Sequence, residues 1–384
     1  MIIRPFWIAK IQQALTRRSI VWLSGVRRVG KTTLIKMFKD AHYLNCDLPS
    51  VARQFRDTEY YYDHVDKKFI IFDEIHRLED PSLLLKIAAD EYPHLKIIAT
   101  GSSTLAATQK FRDSLTGRKV DIYLPPVLWQ ESVSEFQVKD FDHRLLHGGL
   151  PEALLDKNID LSFYSEWMDS FYARDVQEMF NIRNRTGFIK LLQFIFLQSG
   201  GLLEYTSLAK HSELTRPTVK SYIDTLTIAH AIFLLRPFYG GGRREIIRRP
   251  KCYAFDTGFV AFVRGWNNLR AGDRGGLWEH LVLDTLRSYD RGRGIYYWRD
   301  KSNREIDFVL PQSNRIHAIE CKINPDHVDI NSFSRFRLLY PEGNNYVVSP
   351  AVKESYLHSY SNHRIQFINI EQLGKEFKEP HLSL

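Results

Sequence analysis

Gly25-Val-Arg-Arg-Val-Gly30-Lys31-Thr32 lies between an apolar run, Ile20-Val-Trp-Leu23, and a helical stretch that opens Thr33-Leu-Ile-Lys-Met-Phe38. Glycines at both ends of such a segment let the backbone curl so that successive N–H groups face one point, and the start of the following helix adds about half a positive charge there. The spacing G-x-x-x-x-G-K-T between a strand and a helix is that of a loop that cradles phosphates. Lys31 is placed to reach the β- and γ-phosphates of a nucleotide such as ATP, and the Thr32 hydroxyl to ligate magnesium. Gly25, Gly30, Lys31, Thr32 and Thr33 are the candidate triphosphate contacts.

Further along, Phe69-Ile-Ile-Phe-Asp73-Glu74 is an apolar strand that ends in two carboxylates. After a phosphate loop, this arrangement predicts that Asp73 holds magnesium through water and that Glu74 orients and polarises the attacking water. A third strand, Leu95-Lys-Ile-Ile-Ala-Thr100-Gly-Ser102-Ser103, ends in hydroxyls where a γ-phosphate sensor would lie, with Ser102 as its candidate. The set resembles the AAA+ ATPases over about residues 1–130, including the later pair Gly117-Arg118. In that family an arginine often completes a neighbour's site. The resemblance therefore implies self-association, possibly as a ring, and offers Arg118 as the finger. Arg112 and Arg174 stay open as alternatives, and so does a plain surface arginine.

The 384 residues exceed one ordinary core, so two or three domains are expected. From Ile20 to Leu124 short apolar runs alternate with helical stretches, which predicts an α/β unit with a parallel sheet; the remaining runs are His42–Asn45 and Val120–Leu124. Pro125-Pro126 ends that pattern. The expected organisation is a P-loop domain over 1–130, a helical linker or lid over 131–200, a winged-helix segment over 201–250 and a second α/β domain over 251–384. In the last of these, strands are expected at Lys251–Phe255, Ile295–Trp298, Ile306–Leu310, His317–Cys321 and Asn345–Val348, with a long helix at Leu277–Tyr289.

Between Tyr205 and Leu226 a helix, a turn at Ser212-Glu-Leu-Thr215 and a second helix with Pro217 near its start read as a helix-turn-helix. The strand Ala231–Leu235 comes next, and then the cationic stretch Gly240-Gly-Gly-Arg243-Arg244-Glu-Ile-Ile-Arg248-Arg249-Pro250, read as a wing. In a DNA-binding use, Arg216, Thr218 and Lys220 would begin the recognition helix and Arg243, Arg244, Arg248 and Arg249 would meet phosphates. Winged helices also serve as packing modules, and a basic cluster is also compatible with a merely solvated face.

The C-terminal unit carries Glu279 on its helix, Asp307 on one strand, and Glu320-Cys-Lys322 on the next. Strand alternation puts Glu320 and Lys322 on one face and Cys321 on the other. This series resembles the PD-(D/E)xK nucleases. By that resemblance Asp307 and Glu320 bind Mg2+ or Mn2+, Glu279 supports the site, and Lys322 assists the nucleophile or the transition state. Glu305 is read as structural or as a support behind the site. The whole order is similar to a prokaryotic family in which an AAA+ domain precedes a winged-helix and nuclease-like region of long-unknown function. Other matching stretches are Gly148-Gly-Leu-Pro-Glu152, Tyr172-Ala-Arg-Asp175 and Lys251-Cys-Tyr-Ala-Phe-Asp256.

A formal charge of +8 favours polyanionic partners such as DNA. No apolar run is long enough to span a bilayer and the start lacks signal-peptide order, so a cytoplasmic protein without a membrane partner is expected. Three separated cysteines, Cys46, Cys252 and Cys321, suggest neither a disulfide framework nor a CxxC metal site. Three uses fit these features: an ATP-dependent enzyme that cuts DNA, an ATP-controlled scaffold with a silent nuclease-like domain, and an ATPase that remodels protein partners.

Overall fold

The computed structural model describes residues 2–102, 105–106, 108–177, 182, 184–239, 249–290, 294–312, 314–360 and 363–377. Five short strands form the first sheet: β1 (Ile20–Ser24), β2 (His42–Asn45), β3 (Phe69–Asp73), β4 (Lys96–Thr100) and β5 (Lys119–Tyr123). They lie in the order β2-β3-β4-β1-β5, and every pairing is parallel. β1 is buried along its whole length, as expected of a strand covered by helices on both faces. Ile20 pairs with Ile97 and Ile70 with Ile97 on the other side, so the carboxyl ends of β3, β4 and β1 finish side by side. Ligands bind in the crevice at such ends. The expected parallel α/β unit is therefore present.

The second sheet has nine strands: β6 (Gly201–Leu202), β7 (Ile232–Pro237), β8 (Lys251–Ala254), β9 (Tyr296–Arg299), β10 (Glu305–Gln312), β11 (Arg315–Cys321), β12 (Asn345–Val348), β13 (Tyr356–Tyr360) and β14 (His363–Ile368). Their order is β13-β14-β12-β11-β10-β9-β7-β8-β6. β8, grouped by the sequence reading with the C-terminal strands, pairs instead with β7 and β6. β7 then pairs with β9 through Arg236–Tyr296 and Pro237–Tyr297, so the sheet runs on past the expected boundary near residue 250. The helices that matter for the sites are α1 (Lys31–Ile35), α2 (Pro81–Glu91), α3 (Leu161–Ser170), α4 (Arg216–Ile228) and α5 (Asp273–Tyr289). Among the described residues, no helix is long and apolar enough to cross a membrane.

One apolar cluster runs from Trp7 and Ile11 through Trp167 and Phe255 to Leu373, tying the N-terminal sheet to the rest of the chain. Trp167 stacks on Phe171 and Phe255 with centroids 4.9 and 4.7 Å away. A polar joint sits beside it. Asp256 is buried, and its carboxylate accepts from the amides of Gly149 (2.6 Å) and Gly258 (2.8 Å). Burial pushes that carboxyl upward while Arg144 opposes the shift. Gly148 has φ +76, and a Cβ there would fall 1.9 Å from Asp256 Oδ1. The Gly148-Gly149 and Lys251–Asp256 stretches therefore form one contact. Gly148→Ala is expected to cost at least about 2 kcal/mol, from combined backbone strain and the clash. Urea unfolding followed by tryptophan fluorescence measures this, and an unchanged midpoint would contradict it.

Candidate functional site

The phosphate loop leaves β1 and enters α1 through Gly30, whose φ of 96° caps the helix. The Lys31 ammonium turns back into the loop and donates to the carbonyls of Gly25 (2.8 Å) and Val26 (3.1 Å). Burial lowers the Lys31 pKa, while Glu74 and Asp175 oppose the shift. At the tip of β3, Asp73 is only 3% exposed and accepts three hydroxyls. Thr32 and Tyr43 donate to Oδ2 at 2.9 and 2.7 Å, and Thr100 donates to Oδ1 at 2.6 Å. Burial and then Asp73 push the Tyr43 phenol well above its usual range, so it stays protonated as a donor. Thr32 and Asp73 thus present hydroxyl and carboxylate oxygens together, a donor set suited to magnesium.

Glu74 comes next, in the left-handed region, φ 57°, with its amide donating to Thr100 Oγ1 at 3.0 Å. Its carboxyl is raised by burial, with Lys31 opposing. A raised carboxyl next to a lysine suits a group meant to take a proton from water. Glu74, Lys31, Thr32, Thr33, Gly25, Gly30 and Ser102 all line a cavity of about 770 Å3. Of the hydroxyls at the end of β4, Thr100 supports Asp73, while Ser102, the candidate sensor, lines the cavity. Tyr43 was not among the expected site residues, because a tyrosine in a strand ordinarily reads as packing.

Arg118 donates to Asp90 on α2 at 2.6 and 3.0 Å and does not line the cavity of its own chain. Arg112 is absent from that lining too, whereas Arg174 is part of it. Arg174 lies in a π-helical turn, Phe171–Gln177, that continues α3. Its neighbour Asp175 accepts from Arg27 of the phosphate loop at 2.9 Å, and Trp167 of α3 donates to the Arg27 carbonyl at 3.0 Å. The segment after the parallel sheet therefore grips the loop and closes one wall of the cavity. Ala229, just past α4, lines the same cavity.

A second group of charges lies on α5, β10 and β11. Asp307 Oδ2 accepts the Cys321 amide at 2.8 Å, and Lys322 Nζ donates to Glu320 Oε2 at 2.8 Å. The other oxygen, Glu320 Oε1, is buried with no hydrogen-bond partner among the described residues. Burial and Asp307 push the Glu320 carboxyl far up. The same two causes raise Glu279 to about 7. Burial alone would lower Lys322, but Glu320 and Asp307 hold it above the ordinary lysine value. Glu279, Asp307, Glu320 and Lys322 therefore sense one another. Two further groups come from β8: Tyr253 donates to Glu279 Oε2 at 3.0 Å, and Lys251 pairs with Glu305 and lies 3.9 Å from Glu279 Oε2. Nothing in the sequence spacing flagged these two, since they belong to the preceding hairpin. Among the described residues no three His, Cys, Asp or Glu side chains converge closely enough to form a ready-made metal site. The unpartnered Glu320 Oε1 and the mutual repulsion of three carboxyls nevertheless fit a divalent cation, which would relieve both.

Of the residues read for nucleic acid, Arg216 and Lys220 are exposed at the start of α4. Thr218 is half-buried and bonded to Thr215, whose hydroxyl caps the helix. Arg249 pairs with Glu204. Arg243, Arg244 and Arg248 lie outside the described residues.

Comparison with known proteins matches residues 17–133 to an AAA domain. Two domains of unknown function succeed it, DUF8612 over 138–270 and DUF4143 over 274–373. Among curated relatives, the uncharacterized protein Rv2008c of Mycobacterium tuberculosis is 26% identical over 327 residues, covering 82% of this chain and 72% of that protein. The uncharacterized protein MJ1544 of Methanocaldococcus jannaschii is 26% identical over 350 residues, 79% of this chain and 75% of its own. Solved structures with some likeness include the Aeropyrum pernix ORC1 protein in complex with DNA (TM-score 0.26, 11% identity, 73% of this chain and 92% of that chain). Another is the Saccharomyces cerevisiae Hsp104–ADP complex (TM-score 0.30, 16% identity, 59% and 38%). The phosphate loop, the acidic strand tip and the domain match agree: residues 17–133 match an AAA domain and carry the phosphate loop and carboxylate tip of a P-loop nucleotide site.

Proposed function

We propose that this chain is an ATP-hydrolysing enzyme that binds DNA and cleaves it at the Glu279, Asp307, Glu320 and Lys322 site. The observation that carries the cleavage reading is Glu320 Oε1, a buried, unpartnered carboxylate oxygen in the field of two more carboxyls and a lysine. In the nucleotide half, Lys31 and Thr32 take the triphosphate, Thr32 and Asp73 hold magnesium, and Glu74 prepares the water. In the second half, Asp307 and Glu320 would hold Mg2+ or Mn2+, Glu279 supports them, and Lys322 stands by the scissile phosphate. The ion supplies an activated water and neutralises phosphate charge. Arg216, Thr218 and Lys220 provide the entry to DNA, with Arg243, Arg244, Arg248 and Arg249 as phosphate contacts. α4 links the two functions, because its cationic start lies at one end and Ala229, at the nucleotide cavity, just past the other. We retain self-association in this reading; Arg174 already supplies an arginine to the cavity from the same chain.

A second reading, an ATP-controlled scaffold that holds nucleic acid without cutting it, draws support from the Lys322–Glu320 pair and the lack of a ready three-ligand group among the described residues.

The two halves are tested separately. In ATP hydrolysis assays with magnesium, Lys31→Ala should lose at least about a hundredfold in kcat/KM, while Glu74→Gln should lose about as much in kcat and keep its ATP affinity. Equal activity of all three proteins would end the ATPase reading. In cleavage assays on single- and double-stranded DNA with Mg2+ or Mn2+, Asp307→Ala and Lys322→Ala should each lose at least about a hundredfold in rate. DNA retention without cleavage under every metal and ATP condition would favour the scaffold instead.

A further inference from the structure

Glu74 shares its surroundings with a residue that neither motif predicts. His76 lies in the single turn Ile75–Arg77 directly after Glu74, and its Nδ1 is 3.3 Å from Glu74 Oε2. The same Nδ1 is 3.2 Å from the backbone N of Ser102, just beyond the tip of β4. All three residues line the nucleotide cavity.

One ring nitrogen cannot satisfy both neighbours at once. With a hydrogen on Nδ1, the ring donates to the Glu74 carboxylate; with a lone pair there, it accepts the Ser102 N–H. The two bonds are alternatives, and they link two neighbouring strand ends: the carboxylate that prepares water, just after β3, and the end of β4 read as a γ-phosphate sensor.

The backbone is built to bring these groups together. Gly101 carries the strand tip past the ring, and a Cβ on it would meet Trp22 Cη2 at 2.9 Å and His76 Nδ1 at 3.5 Å. A side chain at 101 would collide with Trp22, so glycine is what lets the strand end pass between Trp22 and the ring. On the other side, Glu74 is fixed by its left-handed backbone and by its amide bond to Thr100. The adjacent Thr100–Asp73 bond anchors β4 to β3 on the metal side. The ring therefore sits between two fixed points, and its hydrogen decides which it holds.

We propose that His76 is a positioning residue for ATP hydrolysis: it exchanges Nδ1 between the Glu74 carboxylate and the Ser102 amide, so that engagement of the β4 tip releases Glu74 toward water. Bonded to Nδ1–H, Glu74 has one oxygen committed to the ring. When the ring changes tautomer, losing its Nδ1 proton to solvent and taking one at Nε2, Ser102 donates to Nδ1 and that Glu74 oxygen is free to accept a proton from water. His76 itself does not touch the reacting atoms. This inference rests on the ATPase reading above and adds a control to that site.

Steady-state ATP hydrolysis by the full-length chain tests it, with ADP affinity measured in parallel. His76→Leu removes both bonds and should lower kcat by about tenfold or more, as expected when a base is misplaced by a fraction of an ångström. ADP affinity should stay within about twofold, since Lys31 and Thr32 are untouched. His76→Asn, which puts an amide close to where Nδ1 stands, should recover most of the lost rate; a role in packing alone would leave Asn no better than Leu. In the Glu74→Gln background, His76→Leu should cost nothing further, because the ring acts through that carboxylate. Undiminished kcat in His76→Leu, or full additivity with Glu74→Gln, overturns the proposal. If the unmodified chain binds ATP but never hydrolyses it, the ATPase reading fails first, and the two failures stay distinguishable.

Discussion

Everything at the nucleotide site depends on one buried carboxylate and the three hydroxyls aimed at it. Asp73 draws Thr32 from α1, Tyr43 from β2 and Thr100 from β4 onto two oxygens at the end of β3. Burying a charge is costly unless hydrogen bonds replace its water, and three short donors do so here. The phosphate-loop helix, the acidic strand and the strand beside it are thereby locked at one point. The same contacts preset a hydroxyl oxygen and a carboxylate oxygen for a divalent ion, so the site is organised before any nucleotide arrives.

The second charged group is organised differently. Asp73 is satisfied, while Glu320 keeps a buried oxygen without a partner and shares its field with Glu279 and Asp307. Lys322 and Lys251 balance part of that charge. An arrangement of this kind is held under electrostatic tension, and its raised carboxyls record the cost. Its parts also come from both sides of a sequence boundary. Tyr253 and Lys251 stand on β8, and β7 carries that hairpin into the sheet of β9, β10 and β11. The acid group is thus a composite of the hairpin and the C-terminal strands.

Much of this was legible in the chain. The runs at Ile20, Phe69 and Leu95 predict the central strands within one or two residues, because buried strands in such sheets are mostly apolar, and the partly buried edge strands at His42 and Val120 are found in the same way. The phosphate loop and the Asp73–Glu74 tip are local motifs whose chemistry comes from spacing. What stayed hidden depends on distant pairing. β13 was missed because its residues Tyr356–Ser359 are exposed at a sheet edge and carry no burial pattern. The Arg118–Asp90 pair was hidden as well, since Asp90 stands on α2 and no local spacing joins the two residues. Tyr43 and His76 gained their roles only when the strand tips came together. The pairing of β8 with β7 and β6 could not be read from its own apolar residues, since a buried strand gives no sign of which neighbour it joins.

We read the Asp73–Thr32 pair as a ready seat for a metal-bound triphosphate. Equilibrium binding of a slowly hydrolysed ATP analogue, with magnesium and then with chelator, examines that seat. Binding should be roughly tenfold tighter or more with magnesium, and Asp73→Asn should lose that advantage. Equal affinity with and without the ion, or a full magnesium effect in Asp73→Asn, would contradict it.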